Sequence, residues 1–196
     1  MEKIESLKYE ALNNAVPIMQ DEGIEFLLNF IKENNIKTIL EIGTAVGYSA
    51  IKMASLNNDI TITSIERDDE RYKEAVKNVE TFKLNDRITL IHDDAFNVNL
   101  DSEYDLIFID AAKGKIIEFF EKFKVNLNDS GYIITDNLKF HGYVDMELSS
   151  IESRNIRGLV RKIRNYLVFL KENKEFETTF FDLGDGVSVS KRKNQE

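Results

Sequence analysis

The sequence predicts an α/β fold: a doubly wound, mostly parallel sheet of seven strands that includes a C-terminal antiparallel hairpin. From residue 37 to residue 171, short apolar or β-branched runs alternate with segments of helical periodicity, as expected for right-handed crossovers in a parallel sheet. Beyond residue 175, two strand patterns flank Gly184-Asp185-Gly186, and paired glycines favour the positive-φ turn of a hairpin. No repeat or linker interrupts the pattern, so we expect residues 1–196 to form one domain.

The elements follow in chain order. Residues 1–35 predict an N-terminal helical cap of two helices, interrupted at Val16-Pro17 because the residue before a proline disfavours the helical region. Five strands are expected at 37–42, 60–66, 87–91, 104–109 and 132–135, the last preceded by a turn at Asp129-Ser130-Gly131. Further helices are expected from about 47 and over 67–82, 115–125 and 154–171. The hairpin strands are 176–183 and 187–190, and residues 191–196 are expected to be a frayed tail.

Composition limits the function classes. The chain has no cysteine, which excludes disulfides, thiolate metal sites and cysteine nucleophiles and is compatible with the cytoplasmic location that we expect. It has no run of ~18 apolar residues, so no membrane span is predicted. The formal net charge is −9, with 35 acidic residues against 26 Lys plus Arg, which disfavours sequence-independent binding of nucleic acid over the whole surface.

Four of the first five predicted strands end in a carboxylate, namely Glu41, Glu66, Asp110 and Asp136. One acid at a strand end indicates little, because acids commonly end strands and begin helices. In a parallel sheet, however, all the carboxyl ends lie along one edge, and ligands bind outside that edge where the strand order reverses. The four acids together, beside a glycine turn, therefore predict a ligand site at this edge.

The glycine turn after the first strand is Gly43-x-x-x-Gly47, which differs from the Gly-x-Gly-x-x-Gly fingerprint of dinucleotide sites. Ala45 occupies the position at which a glycine would let the backbone approach a pyrophosphate, and Glu41 adds negative charge nearby. Glu66, at the end of the second strand, is suited to accept both hydroxyls of a ribose. This combination favours S-adenosylmethionine over NAD.

Oxygen ligands follow the fourth and fifth strands, as Asp110 and as Asp136 and Asn137. Two carboxylates and an amide carbonyl suit a hard cation such as Mg²⁺. Lys113, three residues after Asp110, is either an orienting cation or general base for a substrate hydroxyl, or a solvated lysine at a helix start. His141 is either a solvated loop residue or a substrate contact.

A basic cluster lies on the helix predicted over 154–171. Its members are Arg154, Arg157, Arg161, Lys162 and Arg164, with no acid between residues 154 and 164. The cluster is either a solvated helix face or a surface that contacts phosphates, and the sequence leaves both interpretations open.

Taken together, these residues resemble the Mg²⁺-dependent, S-adenosylmethionine-dependent O-methyltransferases of the catechol and caffeoyl-CoA type. The matching segments are Leu40 to Ser49, Ser64 to Arg67, Ile109 to Gly114 and Thr135 to Asn137, with Val16 to Met19 and Gly184 to Gly186. The resemblance implies a Rossmann-like class I methyltransferase fold, a homodimer, and a metal bound by Asp110, Asp136 and Asn137. With the residues of the glycine turn, the predicted cofactor-binding set is Met19, Glu41, Gly43, Gly47, Ser49, Glu66, Asp94, Ala95 and Asp110.

Within that family the chain is most similar to the bacterial tRNA 5-hydroxyuridine methyltransferases, through Lys139 to Val144 and the segment Arg154 to Arg164. This similarity implies methylation of a wobble 5-hydroxyuridine to 5-methoxyuridine. The substrate contacts expected near the anticodon are His141, Arg154, Arg157 and Arg161. Two alternatives stay open: a methyltransferase of small catechol-like diols, and a catalytically silent S-adenosylmethionine-binding module. The complete set of Asp110, Lys113, Asp136 and Asn137 argues against the silent module.

Overall fold

The computed structural model describes residues 2–111 and 113–194, without the side chains of Glu2 and Lys113. The helices are α1 (Glu2–Asn13), α2 (Asp21–Glu33), α3 (Tyr48–Ala54), α4 (Asp69–Thr81), α5 (Ile116–Phe123) and α6 (Arg154–Glu172). The strands are β1 (Thr38–Ile42), β2 (Thr61–Glu66), β3 (Ile88–His92), β4 (Tyr104–Ile109), β5 (Leu127–Thr135), β6 (Phe176–Phe181) and β7 (Val187–Arg192). In these ranges no helix is long and apolar enough to cross a membrane.

The seven strands form one mixed sheet in the order β3-β2-β1-β4-β5-β7-β6. Strands β1 to β5 are parallel, whereas β7 runs antiparallel to both β5 and β6. The strand order reverses between β1 and β4, because the chain leaves β3 at one edge and returns on the other side of β1. The predicted doubly wound, Rossmann-like sheet with its C-terminal hairpin is confirmed.

The hydrophobic core lies on both faces of this sheet. In β4, Leu106 and Phe108 pack in a cluster with residues of α1, α2 and α3, whereas Ile107 and Ile109 pack with residues of α5 and α6. Successive side chains of a strand point to opposite faces, so a continuous apolar run fills both layers. This arrangement leaves the carboxyl edge of the sheet as the place where polar strand ends meet.

Strand β5 is longer than the sequence predicts. It begins at Leu127, so Asp129-Ser130-Gly131 lies within the strand and not in a turn before it. Its pairing with β4 shifts register between Tyr104 and Leu106. The polar segment is therefore accommodated as an irregularity of the sheet, with Asp129 and Ser130 exposed and Gly131 buried.

The C-terminal strand also extends past its predicted end. Lys191 pairs with Tyr132 and Arg192 pairs with Phe176, so the tail predicted as frayed from residue 191 is wrong for these two residues. The Arg192 guanidinium donates a hydrogen bond to the carbonyl of Lys124 at 2.6 Å. Pairing with β5 thus continues through Lys191 and pairing with β6 through Arg192, and residues 195–196 lie outside the described residues.

Candidate active site

A cavity of about 700 Å³ lies at the carboxyl edge of the sheet, beside the reversal of strand order between β1 and β4. Its walls come from the ends of β1 to β5, the α1–α2 connection and the β6–β7 turn. The predicted site residues in these walls are Met19, Gly43, Ser49, Glu66, Asp94, Ala95, Asp110, Asn137 and His141. Six other predicted site residues are described by the structure but do not line the cavity: Glu41, Gly47, Asp136, Arg154, Arg157 and Arg161.

The turn after β1 brings the backbone close to the loop that follows β4. Gly43 has a φ of +102°, and a Cβ at this position would lie 2.4 Å from the carbonyl oxygen of Asp110. Its N–H donates to the carbonyl of Ile65, at 3.0 Å. A side chain has neither the backbone angle nor the space it needs here, so the approach of the two loops requires glycine.

Glu66 ends β2 with its carboxylate held by backbone donors. Oε2 accepts the N–H of Ala45 and Oε1 accepts the N–H of Asp68, both at 2.8 Å. The residue is only 7% exposed, yet it lines the cavity. Because each carboxylate oxygen can accept more than one hydrogen bond, Glu66 can accept further hydrogen bonds on the cavity side, and its contact with ribose hydroxyls stays a prediction.

Glu41 lies behind the cavity wall. Its fully buried carboxylate accepts hydrogen bonds from the hydroxyls of Ser49 and Ser64, and Ser64 Oγ lies 2.6 Å from Thr44 Oγ1. Burial raises the pKa of Glu41 to about 7, although the two serine hydroxyls lower it. Because Ser49 and Thr44 line the cavity, Glu41 can influence a ligand through them.

The predicted metal ligands lie at two adjacent strand ends. The N–H of Asp110 donates to the carbonyl of Ile42 at 3.0 Å, and the N–H of Asp136 donates to the carbonyl of Ile109 at 3.3 Å. The Asn137 amide nitrogen donates to Asp136 Oδ2 at 2.6 Å, so its carbonyl oxygen is the candidate ligand atom.

Two carboxylates and one carbonyl form an all-oxygen donor set of the kind that binds Mg²⁺ together with water. The residues present therefore fit the predicted ion. Outside the undescribed positions, no three His, Cys, Asp or Glu side chains are grouped as metal ligands. The fit depends on the mixed set of Asp110, Asp136 and Asn137.

Lys113 begins a 3-10 turn, Lys113–Lys115, directly before α5. Its side chain lies outside the described residues, so its role as base or orienting cation stays a prediction. The turn is held against α6, where Lys162 Nζ donates to the carbonyl of Gly114 at 3.2 Å.

The loop after β3 adds an aromatic wall that the sequence analysis missed. Phe96 stacks on Phe119 with ring centroids 4.8 Å apart, and both residues line the cavity. Asp94 Oδ1 accepts the N–H of Phe96 at 3.0 Å. A flat apolar surface beside a carboxylate suits the face and the amino group of an adenine. The available signal was the aromatic residue that directly follows Asp94 and Ala95.

The basic cluster of α6 divides into two groups. Arg157 and Arg164 are half-buried and hold the loop between β5 and α6, whereas Arg154, Arg161 and Lys162 are exposed. Arg157 donates to the carbonyls of Ile151 and Glu152, and Arg164 donates to those of Val144 and Met146. Arg157 and Arg164 therefore belong neither to a solvated helix face nor to a surface that contacts phosphates. The two interpretations stay open only for the exposed residues of the cluster.

His141 lies in the loop after β5, with its side chain 67% exposed. Asp185, from the β6–β7 turn, accepts the N–H of His141 on Oδ1 at 2.6 Å and also lines the cavity. The sequence analysis interpreted Gly184-Asp185-Gly186 as a turn and as a match to the family, but it assigned no site role to Asp185. The contact joins residues 44 positions apart, which no local pattern indicates.

The sequence matches the O-methyltransferase family model over residues 1–193. A caffeoyl-CoA O-methyltransferase of Populus kitakamiensis is 27% identical over 194 residues, which cover 94% of this chain and 81% of the relative. A Staphylococcus aureus protein provisionally assigned as a caffeoyl-CoA O-methyltransferase has a crystal structure that matches with a TM-score of 0.92 at 38% identity, covering 97% of this chain and 92% of that one. An O-methyltransferase of Bacillus cereus, solved in complex with SAH, shares the fold with a TM-score of 0.81 at 23% identity, covering 98% and 91%. The chain therefore belongs to the O-methyltransferase family.

Proposed function

We propose that the protein is an S-adenosylmethionine- and Mg²⁺-dependent O-methyltransferase that converts 5-hydroxyuridine at the tRNA wobble position to 5-methoxyuridine. The main support is one cavity that is lined by Glu66, by Asp94 to Phe96, and by Asp110 and Asn137. Residues proposed to bind a nucleoside therefore line the same cavity as two of the three proposed metal ligands, and the third, Asp136, directly precedes Asn137. The SAH that was solved with the Bacillus cereus O-methyltransferase of the same fold is consistent with this cofactor.

In this proposal the cofactor half of the site is formed by the ends of β1, β2 and β3. Glu66 accepts the ribose hydroxyls, Phe96 stacks on the adenine, and Asp94 accepts its amino group. Ser49 and Met19 are the further cofactor contacts that the family resemblance implies. When bound, S-adenosylmethionine supplies an electrophilic methyl group on its sulfonium.

The acceptor half of the site is formed by the ends of β4 and β5. Asp110, Asp136 and Asn137 would hold Mg²⁺, which when bound lowers the pKa of an acceptor hydroxyl. Lys113 either orients that hydroxyl or takes its proton. Walls that fix the acceptor oxygen within ~3 Å of the methyl group accelerate the reaction through proximity.

Metal removal tests the acceptor half. We expect EDTA to abolish methyl transfer and added Mg²⁺ to restore it, and we expect Asp110→Ala to abolish transfer without rescue. Product formation is measured with labelled S-adenosylmethionine, and circular dichroism verifies that the variant is folded. Full activity in EDTA or in Asp110→Ala would contradict the metal role.

Different observations favour two different methyl acceptors. The similarity over Lys139 to Val144 and the exposed Arg154 and Arg161 favour tRNA. A second candidate, a small catechol-like diol, is favoured by the Populus kitakamiensis relative, which is a caffeoyl-CoA O-methyltransferase. The use of Arg157 and Arg164 to hold a loop also favours this candidate, since it reduces the cationic surface left for phosphates.

The deciding experiment supplies labelled S-adenosylmethionine to the protein with tRNA that lacks the 5-methoxy group, and in parallel with catechol. Label in the tRNA supports the first function, and label in catechol alone supports the second. Binding of S-adenosylmethionine without product from either acceptor supports a silent binding module. We further propose a homodimer in the cytoplasm, which light scattering and cell fractionation test.

A further inference from the structure

The β6–β7 turn fixes the loop that follows β5. The N–H of Leu138 donates to the carbonyl of Gly186 at 3.0 Å, and the N–H of Lys139 donates to the carbonyl of Asp185 at 2.7 Å. The N–H of His141 donates to Asp185 Oδ1 at 2.6 Å. Backbone and side chain of the turn therefore set the path of this loop together.

The fixed loop has a backbone that residues other than glycine seldom adopt. Asn137, Phe140 and His141 have φ values of +66°, +49° and +55°. Such a backbone conformation is unfavourable for a residue that has a side chain, so three within five positions persist only where surrounding contacts hold them. The strain lies in the cavity wall, between a predicted metal ligand and a predicted substrate contact.

Asp185 has one carboxylate oxygen without a hydrogen-bond partner among the described residues. The residue is 5% exposed and lines the cavity, and its Oδ2 atom is buried. A buried carboxylate oxygen without a donor is costly. His141 Nδ1 lies 3.8 Å from this oxygen, so a small rotation of the imidazole brings the two atoms to hydrogen-bonding distance.

We propose that Asp185 is a positioning residue that fixes His141 with its proton on Nδ1. In a neutral imidazole one nitrogen donates and the other accepts, so a bond from Nδ1–H to Asp185 makes Nε2 the acceptor. His141 then accepts a hydrogen bond from an N–H or O–H group of the methyl acceptor.

This inference rests on the proposed function and adds to it a feature of the acceptor. The methylated ring must have a second hydrogen-bond donor besides the hydroxyl that is methylated. The imide N–H of a hydroxylated pyrimidine and the second hydroxyl of a diol both meet this requirement.

The variant Asp185→Asn tests the proposal because it reverses the polarity of one contact. Oδ1 must remain an acceptor for the N–H of His141, so the new amide nitrogen takes the place of Oδ2 and donates to Nδ1. The ring proton then moves to Nε2, which changes from acceptor to donor. Asp182→Asn is the matched control, because Asp182 precedes the same turn, is 82% exposed and pairs with Lys139.

The tautomer is measured by ¹⁵N NMR on histidine-labelled protein at a pH of about 8, where an ordinary imidazole is neutral. The chain has two histidines, so His141→Gln assigns both signals. We expect the Nδ1–H tautomer at His141 in the wild type and in Asp182→Asn, and the Nε2–H tautomer in Asp185→Asn. An Nε2–H tautomer in the wild type, or no change in Asp185→Asn, would overturn the positioning role.

Steady-state kinetics test the substrate contact. We expect Asp185→Asn and His141→Gln each to raise the KM for the acceptor roughly tenfold, while the Kd for SAH, measured by calorimetry, stays the same. The double variant should be no worse than His141→Gln, because Asp185 acts through His141. An unchanged acceptor KM in both single variants would overturn the contact.

Matched acceptors identify the donor group that His141 recognises. A 5-hydroxyuridine oligonucleotide is compared with its N3-methylated counterpart, and catechol is compared with phenol. Loss of discrimination within one pair in His141→Gln identifies the group, and retained discrimination in both pairs contradicts the contact. If no acceptor is methylated, the proposed function fails, and the tautomer measurement alone decides whether Asp185 orients His141.

Discussion

At the scale of single residues, the buried carboxyl of Glu41 makes stability depend on pH. Burial raises its pKa to about 7 from an ordinary value of 4.5. Between these pH values the folded chain holds a proton that the unfolded chain releases, so this group's contribution to the free energy of unfolding falls as pH rises. The contribution is complete below pH 4.5 and lost above about 7. At about 1.4 kcal/mol per pH unit, it amounts to roughly 3 kcal/mol at most.

The variant Glu41→Gln isolates this contribution, because it removes the titrating group and retains partners for Ser49 and Ser64. We expect the wild type to lose stability relative to the variant, by up to about 3 kcal/mol, as the pH is raised from 4.5 to 7.5. Urea unfolding at both pH values measures the difference. A difference that does not vary with pH would show that Glu41 titrates normally.

The position of Glu41 also shows that the sequence does not reveal which way an acidic side chain at a strand end points. Its closeness to the glycine turn placed it among the predicted cofactor contacts, whereas the structure seals it behind Ser49. The two hydroxyls that hold it come from 8 and 23 positions along the chain. Whether such a carboxylate faces a ligand or the protein interior depends on these tertiary partners, which a linear pattern does not contain.

At the scale of elements, two glycines should respond in opposite ways to the same substitution. Gly43→Ala would place a Cβ 2.4 Å from the Asp110 carbonyl at a φ of +102°, so we expect a loss of several kcal/mol of stability, or loss of S-adenosylmethionine binding. Gly158→Ala, in the second turn of α6 with nothing within 4 Å of the new Cβ, should stabilise by about 0.5–1 kcal/mol. Thermal unfolding and cofactor titration measure both effects. Equal effects of the two variants would contradict a tight approach at Gly43.

The arginines of α6 separate loop support from substrate contact. Arg164→Ala leaves the carbonyls of Val144 and Met146 without their charged donor, so we expect a loss of about 1–3 kcal/mol of stability and faster hydrogen exchange over residues 143–152. Arg161→Ala, at an exposed position, should change stability by less than about 0.5 kcal/mol. Should the two variants prove equally stable, Arg164 would not be supporting the loop.

Element identity was predictable where the pattern is long and periodic, and less so where contacts decide it. The helix predicted over 154–171 is present as α6, because its apolar spacing continues over several turns. Which of its arginines face the loop was not predictable, since the segment before α6 has no regular periodicity. The polar segment Asp129-Ser130-Gly131 likewise indicates a turn locally, and only its pairing beside β4 keeps it in the sheet.

At the scale of the whole molecule, the site was predictable to the extent that topology assembles it. Acids at the carboxyl ends of parallel strands must lie along one edge of the sheet. This rule was sufficient to predict that Glu66 and Asp110 lie near each other, and both line the same cavity. The α1–α2 connection and the β6–β7 turn reach the same cavity from opposite ends of the chain. Asp185 was missed because no periodic pattern relates the last hairpin to the loop after β5.

The distribution of charge over the molecule predicts a different salt response for the two candidate acceptors. A formal charge of −9 repels a polyanion, so tRNA must meet local cations, and Arg154, Arg161 and Lys162 are exposed on α6. Contacts from these three to phosphates should lower kcat/KM for tRNA roughly 20- to 40-fold as salt is raised from about 50 to about 200 mM. The rate with catechol should change by less than about twofold, because a small neutral acceptor releases no counterions.

The double variant Arg154→Ala/Arg161→Ala is the control for this salt response. Removing two phosphate contacts should reduce the slope of log kcat/KM against log salt by about two, while the rate with catechol is unchanged. A tRNA slope that persists in this variant would locate the phosphate contacts away from α6. A tRNA rate as insensitive to salt as the catechol rate would remove the electrostatic argument for a tRNA acceptor.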